Sequence, residues 1–337
     1  MYRLSASRSV SRWQRLLSIV ASVMLILSAG AASAGWLALH FPAFDFISNV
    51  LPVWLAGGIV AAIMLYASRG WSWALKAGFA LLVVSGLPSV MYDLSSRAHL
   101  VADRDHAGSA GTFKLVQFNA LKANRTPQAA AAWIRQERPD VVTMEETLGS
   151  SRTILHLLRP FYPYQVSCLS RMRCSTVILS REAPSASGGL ARGDPENRKT
   201  LSAIWMRFDR DGHPFTVIAV HMMRPWPWGD QESGRVMLAA FLNMTDRNRT
   251  IVAGDFNTTP WAVAMRSQDR LIALPRYTHK PTWPAMVDGI ATPPILPIDH
   301  IYAGSDWRMT GLRSGPRLGS DHLPLVATLR LQEAGRL

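Results

Sequence analysis

The run Ile251-Val252-Ala253-Gly254-Asp255-Phe256-Asn257 decides how this chain is read. Three apolar, strand-forming residues lead into a glycine, and an acid and an amide follow at the strand's mouth. Asp255 and Asn257 stand two positions apart, so an extended chain presents both on one side. A carboxylate and an amide placed together suit phosphate chemistry, in which water must lose a proton and phosphoryl oxygens must be held. Alone, the same four residues also describe a turn in which Asp and Asn satisfy their own backbone.

Five further clusters follow or interrupt strand-like runs in the same manner. They are Phe118-Asn119 after Lys114-Leu115-Val116, Asp140-Val141-Val142 leading to Glu145-Glu146, Val220-His221, Ile298-Asp299-His300-Ile301, and Gly319-Ser320-Asp321-His322. Strands are predicted over 113–118, 141–144, 176–179, 203–208, 215–220, 251–253, 298–302 and 325–331, each rich in Val, Ile and Phe. Helices are predicted over Pro127–Gln136, with Thr126 as N-cap, and over Gln231–Asn243; a third is expected to start near Thr259. Such alternation predicts a layered α/β domain whose strands deliver polar residues to one rim.

With six clusters in this order the chain resembles the endonuclease/exonuclease/phosphatase superfamily, which includes pancreatic deoxyribonuclease, abasic-site endonucleases, bacterial sphingomyelinases and inositol polyphosphate phosphatases. The resemblance covers about Phe113 to Leu331. It implies a four-layer sandwich of two packed β-sheets flanked by helices, with the active site at one edge. It also implies roles. Glu146, Asn119 and Asp321 would hold Mg²⁺ or Mn²⁺, since hard cations of this size prefer oxygen ligands. Asp255 would activate the attacking water and Asn257 would steady the phosphoryl group. His221 and His322 would donate to phosphate oxygens, with Asp299 fixing the His322 ring, and His300 is expected on the opposite face of its strand. Arg224 would contact substrate. One departure stands out: where the family has an amide before its metal-binding glutamate, this chain has Glu145.

The first hundred residues differ in composition from the rest. Three apolar stretches, about 16–40, 47–67 and 71–91, are long enough to cross roughly 30 Å of hydrocarbon as helices. Residues 1–92 therefore read as a membrane anchor with three transmembrane helices, 93–112 as a linker and 113–332 as the catalytic domain. Arg3, Arg8, Arg12 and Arg15 precede the first stretch and 41–46 carries no basic residue, which predicts a cytoplasmic N-terminus and a periplasmic catalytic domain in a bacterial inner membrane. Ala32-Ser33-Ala34 also fits a signal-peptide cleavage site; cleavage would leave two spans and the same outward domain. Cys168 and Cys174 could close a short disulfide loop or stand as separate thiols. Without a nearby histidine they lack the ligand count for zinc.

Formal net charge is +13, and the part after residue 97 holds 29 basic and 21 acidic residues. That excess suits an anionic partner without separating nucleic acid from phospholipid. The expected activity is divalent-metal-dependent hydrolysis of a phosphate ester, a phosphodiester of nucleic acid or a phospholipid headgroup before a phosphomonoester. The alternative class is a binding module of the same fold, which the completeness of the motif set argues against. A transporter fits only the first hundred residues.

Overall fold

A computed structural model describes residues 11–100, 111–167, 175–189, 201–210, 212–225, 230–277 and 280–332. The cysteine pair, Arg3 and Arg8 lie outside the described residues. The chain divides into two compact units, Met1–Asp93 with Trp261–Val263, and Leu94–Pro260 with Ala264–Leu337.

The first unit contains α1 (Arg12–Ala34), α2 (Asp45–Asn49), α3 (Leu51–Ala67) and most of α4 (Trp73–Ser96). Ser11 and Gln14 cap α1 reciprocally. Two helices, Arg12–Leu39 and Trp73–Ser96, are long and apolar enough to cross a membrane. The expected middle span differs: it is broken at Val50, and the segments Pro42–Asn49 and Leu51–Ala67 meet at 57°. Pro52, in the first turn of α3, explains the break, because proline lacks the donor a continuous helix needs and its ring clashes with the preceding turn. Ala21, Leu25, Ala29, Ala61 and Leu65 are buried between helices while Ile26, Leu27, Ile63 and Val84 face outward. Large apolar residues thus cover the outward faces of these helices.

The second unit is built from two sheets. In chain order its elements are β1 (Thr112–Asn119), α5 (Pro127–Glu137), β2 (Val141–Glu145), α6 (Arg152–Leu158), β3 (Tyr164–Ser167), β4 (Val177–Ser180), β5 (Ala186–Gly189), β6 (Ser202–Arg210), β7 (His213–His221), α7 (Asp230–Leu242), β8 (Thr250–Asp255), α8 (Val263–Ile272), β9 (Met286–Val287), β10 (Ile290–Ala291), β11 (Asp299–Ala303), β12 (Trp307–Ser314) and β13 (Leu325–Leu331). One sheet has the order β12-β13-β1-β2-β4-β3 and the other β11-β8-β7-β6-β5; β9 and β10 form a separate small pair. β1 runs parallel to β2, and β7 to β8; the remaining pairings are antiparallel.

Alternation explains the layers. Phe113 and Leu115 of β1, Ile204, Met206 and Phe208 of β6, Val217 and Ala219 of β7, and Ile251 and Ala253 of β8 meet in the core between the sheets. The opposite residues, Val116, Phe118, Val142 and Met144, pack against Ala130 and Ile134 of α5 and Ile154 and Leu158 of α6. On the far side, Ile218, Val220 and Val252 pack against Leu238 and Leu242 of α7 and Ile272 of α8. The result is the expected four-layer arrangement of helix, sheet, sheet and helix.

Local details add to the expected pattern, and one helix start differs from it. Thr126 occupies the N-cap of α5 but makes no capping hydrogen bond, so Pro127 in the first turn is what starts that helix. α8 starts at Val263, beyond Thr259, and Thr258 instead accepts a hydrogen bond from Gln231 at 2.7 Å. Part of the expected linker is docked: Ala98 N–H donates to the Arg276 carbonyl at 2.9 Å.

Gly254 is required by crowding. A Cβ there would lie 1.8 Å from the Val220 carbonyl oxygen on the neighbouring strand. Because backbone atoms of a central strand cannot move aside cheaply, Gly254→Ala is expected to destabilise the fold by about 3 kcal/mol or more. Thermal unfolding of the full-length variant in detergent checks this, and an unchanged midpoint would refute it.

Candidate active site

The rim follows from strand register. His221, Asp255 and Asp299 sit side by side on β7, β8 and β11. They continue the inward alternation of Ala219, Ala253 and Ile301, so all three point toward the space between the sheets. Asn119 pairs with Glu145 across β1 and β2. By the same alternation Gln117, Asn119, Thr143 and Glu145 continue the inward faces of Leu115 and Val141. At this edge the apolar core therefore gives way to amides, carboxylates and imidazoles from both sheets.

Asp255 is held tightly. Its Oδ1 accepts the Asn257 backbone N–H at 2.8 Å, and its Oδ2 accepts Asn119 Nδ2 at 2.9 Å. His221 Nε2 and His322 Nε2 approach the same Oδ2 at 3.7 and 3.8 Å. Asp299 and His322 meet, with Nδ1 2.8 Å from Oδ2. Asp299 also accepts hydrogen bonds from Thr282 Oγ1 and from Gln117 Nε2, the latter at 2.8 Å. Gln117 Nε2 bridges further to Glu145 Oε2 at 3.0 Å. The loop residues of the last cluster are fixed as well: Ser320 Oγ donates to the Asn119 carbonyl at 2.7 Å and accepts the His322 N–H at 3.0 Å.

Charge is crowded in this space. Burial pushes Glu145 well above the usual carboxyl range, and the carboxylates of Asp299 and Asp255 push it further. Burial likewise raises Asp255; Asp299 adds to the rise, while His322, His221 and Asn119 offset part of it. Burial would raise Asp299 too, but His322, Thr282 and Gln117 hold it below its ordinary value. For His322, burial opposes the charged ring, yet Asp299, Asp255 and Asp321 outweigh that and push its pKa up to about 10. Perturbed groups gathered at one rim make this the candidate site.

The remaining expected residues fall as follows. Glu146, at φ 55°, leaves the strand in a left-handed conformation and lies 3.5 Å from Asn119 Nδ2. Asn257, at φ 50°, spends its side-chain amide on the Met222 carbonyl at 2.9 Å, with Asp255 Oδ2 at 3.4 Å. Asp321 accepts from Trp283 Nε1 at 3.1 Å, and among the described residues no contact joins it to Glu146. Arg224 is exposed, and among the described residues it makes no hydrogen bond or ion pair. His300 packs on Phe256 and bonds the Thr258 carbonyl at 2.8 Å, away from Asp255. Gln117 and Thr282 escaped the sequence reading. Gln117 alone carried a usable signal, its parity with Phe113 and Leu115.

The profile of the endonuclease/exonuclease/phosphatase family matches residues 116–322, a span that contains every polar residue of the rim. The chain belongs to that family. Solved structures agree in fold: an endonuclease/exonuclease/phosphatase from Beutenbergia cavernae is 19% identical, with a TM-score of 0.52 over 68% of this chain and 74% of that one. A family protein from Bacteroides thetaiotaomicron is 15% identical, with a TM-score of 0.51 over 68% of this chain and 99% of its own. One from Bacteroides vulgatus is 16% identical, at 0.51, over 66% and 100%. No curated protein matches the chain in sequence.

Members of this family are generally hydrolases of phosphate esters, and the residues at this family member's rim fit a hard divalent cation. Glu145, Asp255 and Asp299 are buried together, and Glu145 Oε1 and Gln117 Oε1 are buried without a hydrogen-bond partner among the described residues. Oxygen donors in such excess favour cation binding over any anion. Asp255, Asp299 and His322 also bring ligand atoms within 4.8 Å of one another. His322 Nδ1 is bonded to Asp299, so of that ring only Nε2 is open to a further partner.

Proposed function

We propose that this protein hydrolyses a phosphodiester, in nucleic acid or a phospholipid headgroup, by in-line attack of water without a covalent enzyme intermediate. The observation that carries the reading is Asp255, held by a backbone N–H at Oδ1 and an amide at Oδ2, with two imidazoles facing that same Oδ2. Glu146 and Asn119, with Asp321, would hold Mg²⁺ or Mn²⁺. When bound, the cation supplies Lewis-acid stabilisation of charge on the phosphoryl oxygens.

The chain's own groups do the rest. Asp255 takes the proton of the attacking water, and its orientation is fixed by Asn119 and by the Asn257 N–H. His221 and His322 present ring N–H groups to the oxygens on which charge grows. Asp299 holds His322 by Nδ1, so that Nε2 points at the reacting group. Asn257 serves by shaping the turn after β8, and Arg224 would contact a second anionic group of the substrate.

The decisive assay is purified full-length protein against single-stranded DNA, duplex DNA, sphingomyelin and phosphatidylinositol phosphates. Hydrolysis of at least one is expected with Mg²⁺ or Mn²⁺ and none with excess chelator; full turnover in metal-free buffer would overturn the metal assignment. We also place the N-terminus in the cytoplasm, the apolar helices in the inner membrane with the bent pair as one span, and residues 113–332 in the periplasm as the catalytic unit. An alkaline phosphatase fusion after Leu331 should then be active. A cytoplasm-only fluorescent protein at that junction should stay dark, and the opposite pair of results would reverse the topology.

A further inference from the structure

The edge of the six-stranded sheet opposite the rim carries a surplus of guanidinium groups. Arg135 and Arg138 stand at the C-terminal end of α5, and Arg181 directly follows β4. With Phe161 and Tyr162 they line a cavity of about 440 Å³. β2 begins here, at Val141 paired with Ser180, and reaches the rim only at its other end. The cavity is therefore separate from the candidate active site.

What distinguishes these arginines is where the neighbouring acids are spent. Glu137 pairs with both Lys114 and Arg313, each at 2.6 Å. Asp140 gives one oxygen to Arg210 at 2.9 Å and the other to the Lys114 N–H at 2.7 Å. Glu182 pairs with Arg210 at 2.9 Å. Among the described residues, no carboxylate is left for Arg135, Arg138 or Arg181. Each local acid is neutralised by a base outside the cavity, and the three bases that line it stay uncompensated.

Two further features hold the cluster in place. Arg135 lies over the Phe161 ring at 5.2 Å from its centroid, which orients the guanidinium along the cavity wall. Arg138 occupies the left-handed position that ends α5, with φ 52° and ψ 47°. Glycine is the relaxed choice there, and an arginine is kept instead. A helix C-terminus accounts for basic residues on α5. It does not account for Arg181, which comes from a different element and faces the same cavity.

We infer that Arg135, Arg138 and Arg181 form a second anion site, which takes a small phosphate-bearing group of two or more negative charges. Guanidinium forks match phosphate oxygens in geometry as well as charge, and the three exposed arginines stand around one open depression where a ligand can reach them from solvent. The same chemistry is offered by a free phosphate compound and by a phosphomonoester lipid headgroup.

The test uses full-length protein in neutral detergent, with chelator present so that no metal-dependent anion binding occurs at the rim. Inorganic pyrophosphate is titrated calorimetrically at fixed ionic strength. Saturable binding is expected, weakened about tenfold or more by Arg138→Gly and by Arg181→Ala, as loss of a charge-assisted contact implies. Arg138→Gly relieves the left-handed backbone, so its melting temperature should be no lower than that of the parent, which separates lost binding from lost folding. Absence of saturable binding, or binding that both variants retain, overturns the site. Micelles doped with phosphatidic acid divide the sources: displacement of pyrophosphate identifies a lipid headgroup, and undiminished pyrophosphate binding identifies a soluble phosphate compound.

Discussion

Asp255→Asn is expected to lower turnover by about 10²–10⁴-fold, the usual loss when a positioned general base is removed. The substitution keeps the size of the side chain and can still accept the Asn257 N–H, so the strand end should survive. It removes the group that draws a proton from water and toward which both imidazoles are turned. Burial already raises this carboxyl, so a neutral replacement should leave the melting temperature close to that of the parent or higher. Steady-state rates on the best substrate, with a melting curve for each protein, decide the matter. A variant with near-normal rate would exclude Asp255 from the chemistry.

Comparable losses are expected for Asp299→Asn and for His322→Ala, and the double variant should be little worse than the poorer single. The two side chains share one hydrogen bond at 2.8 Å, so removing either leaves the other without its partner. Fully multiplicative losses would mean that they act independently. The same pair predicts a pH effect in chelator. The folded-state pKa of His322 lies above its unfolded value, so the folded chain holds the proton more firmly. The stabilisation is complete below about 6.5, the ordinary imidazole value. It is lost as pH rises through about 10. Between those limits the parent should lose thermal stability more steeply than His322→Ala; parallel curves would remove the ion pair from the account.

Much of this was legible in the sequence where a strand is both apolar and regular. β1, β2, β6, β7, β8, β11 and β13 announce themselves by Val, Ile and Phe, and at β1, β2, β7, β8 and β11 a polar end residue marks the rim. Two of the missed strands show why that signal can fail. β5 is Ala-Ser-Gly-Gly, without a β-forming side chain. β12 starts with regular alternation at Trp307 and Met309, but a bulge between Met309 and Gly311 shifts the period before Leu312, so no single pattern covers it. The broken helix at Val50 was signalled by Pro52, which hydropathy alone does not weigh. In the site, the meeting of Asp299 with His322 could be anticipated from their clusters. Thr282 could not, because it arrives from an irregular segment with no periodicity to place it.

The position of β13 sets when this protein can begin to work. β13 lies between β12 and β1, and it pairs Arg330 with Thr112 and Leu325 with Gln117. A ribosome therefore releases β1 long before the strand that completes its sheet exists. Asn119 and Glu145 belong to that late-closing sheet, whereas His221, Asp255 and Asp299 belong to the other. Until both are closed and pressed together, the two halves of the rim do not face each other. A growing or half-folded chain therefore lacks an assembled rim, and the chemistry proposed for it has to wait for the last strand.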